Sequence, residues 1–350
     1  MMKRLLHLLL GPGLMIASRI GGAFAAMIFT ALMTRSMGAA AAGQVATGMA
    51  LSMVLALVCT LNIESGAVRF IPQAMAAGNA GAVAGYVRFA RRFVAGVSAI
   101  AIPAALWGIW IWFGGINTVL VIAVLAAPVL AWLRLGAGMA LGLSRPVLSV
   151  LPRSLLRPVF MALLICLWLW LIAPLTPIIA MILFLLSASL TLLAQHWLLR
   201  APLRNVLTAD PAFADARDWV RTGLALGLNV LFLEFGIYLT VLAAATVLPP
   251  QDTARLDVAL KIVALAVFAI QAIGRYYGPT LSAALVVNDR AKLTRVLATT
   301  ALLRAAVGIP TLAVILISGG TILSIFGPAF AQDTWLLAVL SVEAMLIVAF

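Results

Sequence analysis

"GQVATGMALSMVLALVCTLNIESGAVRFIPQ", Gly43 to Gln73, decides the fold. From Gly43 to Ile63 it holds no charged side chain, and then Glu64, Gly66, Arg69 and Pro72 follow in quick succession. About 20 consecutive apolar residues are needed to cross a hydrocarbon layer as a helix, so Gly43–Ile63 is long enough to span it. "ESGAVRFIPQ" is then the end of a span at a water surface, with Pro72 expected to start a short helix leading sideways to the next one.

The rest of the chain repeats this grammar. Of its 350 residues 65% are hydrophobic and only 9% are charged, with a mean hydropathy of +1.18. A water-soluble domain carries about 25% charged residues, so these figures exclude one and give an all-α, polytopic membrane protein. Ten spans are predicted: Gly13–Met33, Gly43–Ile63, Phe93–Phe113, Thr118–Leu141, Pro158–Ala173, Pro177–Leu199, Thr222–Leu248, Leu256–Gly278, Leu297–Ile317 and Thr334–Phe350.

The net charge of +13 follows the predicted topology. With the N-terminus cytoplasmic, Lys3, Arg4, Arg69, Arg88, Arg91, Arg92, Arg145, Arg153, Arg157, Arg200, Arg204, Arg217, Arg221, Arg275, Arg290, Lys292 and Arg295 fall at cytoplasmic ends or loops. Only Arg35 and Arg255 face outward. Such asymmetry is what the positive-inside rule produces, and it leaves no basic patch to read as a nucleic-acid surface. Trp107, Trp110, Trp112, Trp168 and Trp170 at outer ends, with Tyr276 and Tyr277 at an inner one, fit interfacial belts. Residues 2–10 read as a short interfacial helix ahead of an uncleaved first span. Cys59, Cys166, His7 and His196 have no metal-ligand spacing, and no metal or cofactor is expected.

An internal repeat follows. "VRFIPQAMAAGNAGAVAGYVRFARR" from Val68 has a counterpart in "GRYYGPTLSAALVVNDRAKLTR" from Gly274: arginine, bulky pair, proline, small-residue helix, Asn-containing turn, basic approach to a span. "GQVA" at Gly43 pairs with "LDVA" at Leu256, and "FGG" at Phe113 with "FGP" at Phe326. Six spans return the chain to its starting side, so two such halves are parallel repeats with a substrate site between them. The expected division is a lobe over residues 1–199, a cytoplasmic linker over 200–221, and a second, incomplete lobe over 222–350.

Two such lobes, "RFIPQ" after the second span, a Gly-x-Ala turn into it and "FGPAF" at Phe326–Phe330 resemble polysaccharide flippases of the multidrug/oligosaccharidyl-lipid/polysaccharide exporter superfamily. That family includes O-antigen and teichoic-acid exporters of lipopolysaccharide and wall biosynthesis. The resemblance implies alternating-access flipping of an undecaprenyl-pyrophosphate-linked oligosaccharide across the inner (cytoplasmic) membrane. It also implies a non-enzymatic chain whose neighbours include a polysaccharide polymerase and glycosyltransferases. Family members have twelve to fourteen spans, so a chain stopping in its tenth is expected to be a fragment. The alternative is a multidrug or metabolite antiporter of the same superfamily.

Ionisable side chains inside spans are costly and mark pathways or partners. Arg19, Lys261, Arg134 and Arg304 are the candidate substrate-binding cations, and Glu234 and Glu64 the candidates for coupling or gating. Arg19 lies about 9 Å past Gly13 on a face with Gly22, Ala26 and Thr30, and the resemblance places first-span cations in the central cavity. Its competing role is structural pairing, with Glu234 the expected partner. Asp257, Lys261, Ala264, Phe268, Gln271 and Arg275 share one face of the eighth span, though Asp257 and Lys261 also have the spacing of a simple i,i+4 pair. Arg134 and Arg304 are within snorkelling reach of a cytoplasmic end. Glu234 is mid-membrane and needs a cation or a proton; Glu64 is expected to pair with Arg69 or a neighbour. Glu343 falls in the last span. Four intramembrane cations against two mid-membrane acids favour an anionic substrate.

Overall fold

The computed structural model describes residues 2–113, 117–172, 174–213, 215–286 and 290–349. Among them it has eleven α-helices, one π-helical turn and no strand. The protein is an all-α polytopic membrane protein. Two compact units are present, Met1–Pro250 and Gln251–Phe350.

Helix α1 (Met2–Thr60) is interrupted at Gly38, whose φ of 79° and ψ of 170° break the helical path. Positive φ is accessible to glycine without a Cβ clash, which is why the break falls there. The apolar part, Gly13–Thr60, is 48 residues long. At ~1.5 Å per residue that is about 72 Å, twice the ~30 Å hydrocarbon thickness, so the two sides of Gly38 supply the first two predicted spans.

α2 (Ile63–Ala76) follows after Leu61 and Asn62, both at positive φ. Pro72 lies inside α2 and does not start it, because the break comes nine residues earlier than its proline suggested. α3 (Ala80–Phe113) and α4 (Thr118–Gly142) come next, with Asn117 capping α4 by accepting from the amides of Val119 and Leu120. A continuous helical path then runs through α5 (Pro146–Leu151), the π-turn Pro152–Leu156 and α6 (Arg157–Leu171). It makes one candidate span, Pro146–Leu171, where the sequence suggested a span starting only at Pro158. α7 is Pro177–Leu207 and α8 is Ala216–Val247, bent by 59° between Phe232 and Glu234.

Contacts give the helix directions. Gly48 packs near Val119, Ser52 Oγ donates to the Ala123 carbonyl, Gly138 lies against Glu64 and Gly142 against Ala67. The steady offset means that the second stretch of α1, continued by α2, runs parallel to α4. Gly223 of α8 meets Ile63, while Pro250, just past the end of α8, meets Gly43, so α8 runs antiparallel to them. α4 is the hub of this unit: most of its Ala-rich sequence is buried, with Ala123, Ala126, Ala127, Ala131 and Ala140 fully enclosed, though Leu125 and Leu141 are exposed.

The segment expected as a 200–221 linker is mostly helix, because α7 runs to Leu207 and α8 begins at Ala216. The short connection docks on the α2–α3 hairpin. The Ala212 amide donates to the Gly81 carbonyl at 3.0 Å, and Arg88 donates to the Leu207 carbonyl at 2.9 Å. Compactness therefore places α8 with the first unit, whereas the repeat division at 200–221 puts it with the second lobe.

In the second unit, α9 (Pro250–Val286), α10 (Arg290–Ser324) and α11 (Thr334–Ala349) follow. Arg255, expected as an outward-facing cation, is tied to Asp252 and, at 3.1 Å, to Asp333. The "FGPAF" turn beside Asp333 buries Phe326 and Phe330. Six helices of the described chain are long and apolar enough to cross a membrane, or seven with bent α8, against ten predicted spans. The difference lies in α1, counted once, in α9, which carries Asp252, Arg255, Asp257 and Lys261 near its start, and in the short α11. Of the tryptophans expected in an outer belt, Trp107, Trp110 and Trp170 are exposed, whereas Trp168 is partly buried against the core.

Candidate functional site

Three interrupted helices of the first unit bring their charges together. The first interruption is Leu61–Asn62. Asn tolerates the left-handed region better than most residues, and here its side chain is fully used. Nδ2 donates to the Gly223 carbonyl of α8 at 3.4 Å and Oδ1 accepts from Ser65 Oγ at 2.9 Å. Tyr86 of α3 donates its hydroxyl to the Ile63 carbonyl. A helix break inside a bundle exposes backbone groups that need partners; these bonds supply them. Tyr86 is itself packed edge-on against Trp219, at 5.1 Å between ring centroids, so the start of α8 is fastened to the same place.

The second interruption is the π-turn. Prolines stand at 146, 152 and 158. Pro158 has no N–H to offer the Ser154 carbonyl, and a widened turn is one way a helix absorbs that loss. The Ser154 carbonyl lies against Gly22 of α1, where a Cβ would come within 1.5 Å of the oxygen. The third interruption is the bend of α8 before Glu234.

Between these breaks lies the cluster. Glu64 of α2 and Arg134 of α4 form an ion pair of 2.5 Å with both side chains buried. Arg134 also stacks its guanidinium over the Phe235 ring of α8, 4.7 Å from the centroid. Arg153, in the π-turn, is in electrostatic contact with Arg134, Glu234, Glu64 and Tyr238. Arg157 donates a hydrogen bond to the Tyr238 hydroxyl, lies over Phe184 and reaches the Met53 sulfur at 3.6 Å. Small residues make the approach possible: Gly138 and Gly142 leave room for the α2 backbone on α4.

Arg153 and Glu234 are solvent-exposed although both lie within membrane-spanning segments. Ionised groups facing hydrocarbon are too costly to keep, so this exposed surface borders water between the helices. Three arginines and two glutamates leave one positive charge in excess. Arg134 is neutralised locally by Glu64, Arg157 is half-buried against Tyr238, Phe184 and Met53, and Arg153 keeps exposed surface.

The expected site residues fall in different places. Glu64 pairs with Arg134, not Arg69, because the helix breaks before it and turns it inward; Arg69 instead stacks on Phe70. Arg134 does not snorkel to an interface. Glu234 interacts electrostatically with Arg153. Arg19 is half-buried on α1, one turn before Gly22 and the π-turn. Lys261 is bonded to Asp257 at 2.6 Å, the simple i,i+4 pair. Arg304 lines a cavity of the second unit with Ile270, Gly308 and Met345. The side chains of Phe268, Gln271 and Arg275 lie outside the described residues. Arg153 and Arg157, expected at cytoplasmic ends or loops, lie inside the candidate span Pro146–Leu171. The missed signal was Val147, Leu148, Val150 and Leu151, which continue the apolar pattern upstream of Pro158.

Solved structures share this arrangement of helices. An inward-facing multidrug resistance MATE family transporter of the MOP superfamily superposes with a TM-score of 0.72, over 93% of this chain and 81% of that one. The fold is that of the MATE transporters. Sequence identity to that MATE structure is 14%. A eukaryotic MATE transporter, AtDTX14, matches with a TM-score of 0.58 at 14% identity, over 99% of this chain and 81% of its own. A MATE in complex with MaL6 matches at 0.55 and 15%, over 95% and 82%. No family model and no curated protein matches the sequence. At these identities the MATE likeness speaks to fold alone.

Proposed function

We propose that this protein is a transporter that moves an anionic, lipid-linked oligosaccharide across the cytoplasmic membrane by alternating access, without chemistry on its substrate. The observation that carries this reading is the excess of arginine at the three helix breaks. A pyrophosphate brought into low dielectric needs cations that are preorganised and partly desolvated. Arginine meets that need better than lysine because its planar fork gives two directed hydrogen bonds to phosphate oxygens. In the proposed mechanism Arg153 and Arg157 receive the phosphates, with Arg19 on the adjoining helix. Glu64 holds Arg134 in place, and Glu234 competes with the substrate for Arg153, so that release follows when the acid regains its partner. Lys261, occupied by Asp257, and Arg304 are further candidate substrate-binding cations, both in the second unit. The N-terminus is placed in the cytoplasm.

The test is a vesicle assay with the purified chain and a fluorescent undecaprenyl-pyrophosphate glycan. Arg153→Gln and Arg157→Gln each remove a charge-assisted contact worth about 1.5–3 kcal/mol, which is a loss of roughly 10- to 100-fold in flipping rate. Abundance of Arg153→Gln should stay within about twofold, because that side chain keeps exposed surface. Unchanged flipping in both variants overturns the anion site. A second reading, a multidrug or metabolite antiporter, is favoured by the exposed carboxylate of Glu234 and by the MATE likeness. It wins if the wild-type chain moves an organic cation against a proton or sodium gradient and leaves the glycan lipid in place.

A further inference from the structure

On the opposite face of α4 from Arg134, a separate cavity of about 190 Å³ opens between α3, α4 and α7. Its lining includes Arg91, Trp132, Gly136, Gln195, His196 and Leu203. Trp132 and Gly136 are four residues apart and so share one side of α4, while Arg134, midway between them, points away. The cavity is thus distinct from the cluster at the helix breaks.

Three observations fix its level in the membrane. Arg91 is eleven residues past Ala80, so roughly 33 Å of α3 remains beyond it, one hydrocarbon thickness. His196 and Gly136 lie roughly 27–29 Å from the opposite ends of α7 and α4, at Pro177 and Thr118. Trp197, next to His196, is 61% exposed and carries the Arg200 guanidinium over its ring at 5.5 Å, as befits a headgroup-level belt. Arg88, Arg92 and Arg204 stand at the same arginine-rich end.

We propose that this cavity binds the phosphodiester headgroup of an anionic membrane phospholipid. Basic pockets between spanning helices at this level select such headgroups by charge, and the chemistry here fits. Arg91 supplies a forked cation, Trp132 and His196 supply ring N–H donors, and Leu203 supplies apolar wall for the upper part of a chain. The buried Gln195 closes the floor: its Nε2 donates to the Leu133 carbonyl at 3.1 Å, and its Oε1 lies where a Cβ on Gly136 would stand, 2.6 Å away. At about 190 Å³ the space suits a phosphate with the groups next to it and is too small for a polyprenyl-linked sugar chain.

The experiment is native mass spectrometry of the full chain released from micelles containing equal phosphatidylglycerol and phosphatidylcholine. The wild-type chain should retain the anionic lipid about fivefold or more over the zwitterionic one, and Arg91→Gln should lower that ratio by about fivefold, the effect of one cation near a charged lipid. Arg91→Lys keeps the preference, and Arg69→Gln, on α2, leaves it unchanged. Inorganic phosphate alone does not displace the lipid. Equal retention of the two lipids by the wild-type chain, an Arg91→Gln ratio no lower than that of Arg69→Gln, or displacement by free phosphate overturns the proposal. If Arg91→Gln fails to accumulate, the wild-type ratio and the Arg91→Lys ratio decide.

Discussion

Arg134→Met and Glu64→Leu should each strip this protein of about 3–5 kcal/mol of stability, while the double variant recovers most of it. The two side chains are each 9% exposed, and each is the other's ion-pair partner. Removing one leaves an uncompensated charge among α2, α4 and α8. Nor is the pair saturated: the second Glu64 oxygen and Arg134 Nε have no hydrogen-bond partner among the described residues. That makes its apolar replacement cheap. Two well-packed apolar side chains of similar volume often do as well as a buried pair or better. Detergent-solubilised thermal unfolding checks this, since a loss of this size is a large part of the 5–15 kcal/mol that a domain has in total. Near-wild-type melting in the single variants, or a double variant as damaged as the two added together, would falsify the claim that Glu64 and Arg134 act as one unit. The same cycle separates stability from transport, because the proposed anion site lies on Arg153 and Arg157.

How the sequence relates to this site is itself physical. Spans are legible because their signal is summed over about twenty residues, and single exceptions do not hide it. α3, α4, α7 and α10 therefore lie where hydropathy put them, with ends extended by a few turns of polar helix. The charges of the interior were partly legible. Glu64, Arg134 and Glu234 were singled out because an acid or base inside an apolar run has to be explained. Their partners were not legible, because pairing depends on which way a helix turns after a break. Leu61 carries no breaking signature at all, yet it has a positive φ where Gly223 packs against Leu61 and Ile63. Arg153 was lost for the opposite reason. Pro152 and Pro158 look like loop punctuation, yet a π-turn absorbs them and keeps the span continuous.

Gly22 should be the least replaceable residue of the first span. A Cβ there would stand 1.5 Å from the Ser154 carbonyl oxygen and 2.6 Å from its carbon, both backbone atoms that no rotamer change can move. That carbonyl is exposed to Gly22 because Pro158 cannot donate to it, so the contact is a consequence of the π-turn and not an accident of packing. Gly22→Ala must therefore push α1 away from the turn, and overpacking of this kind costs about 1–3 kcal/mol or more. Gly96→Ala is the matched control. It lies in α3 with nothing within 4 Å of its Cβ position, so the helix propensity of alanine should stabilise it by about 0.5–1 kcal/mol. The two variants are the same chemical change with opposite expected signs, read by thermal unfolding in one detergent. Because the displaced turn carries Arg153, Gly22→Ala should also lower transport more than it lowers abundance. Equal melting temperatures for Gly22→Ala and Gly96→Ala would show that the α1–π-turn contact is looser than this geometry requires, and the anion site would then lose the wall that positions its first arginine.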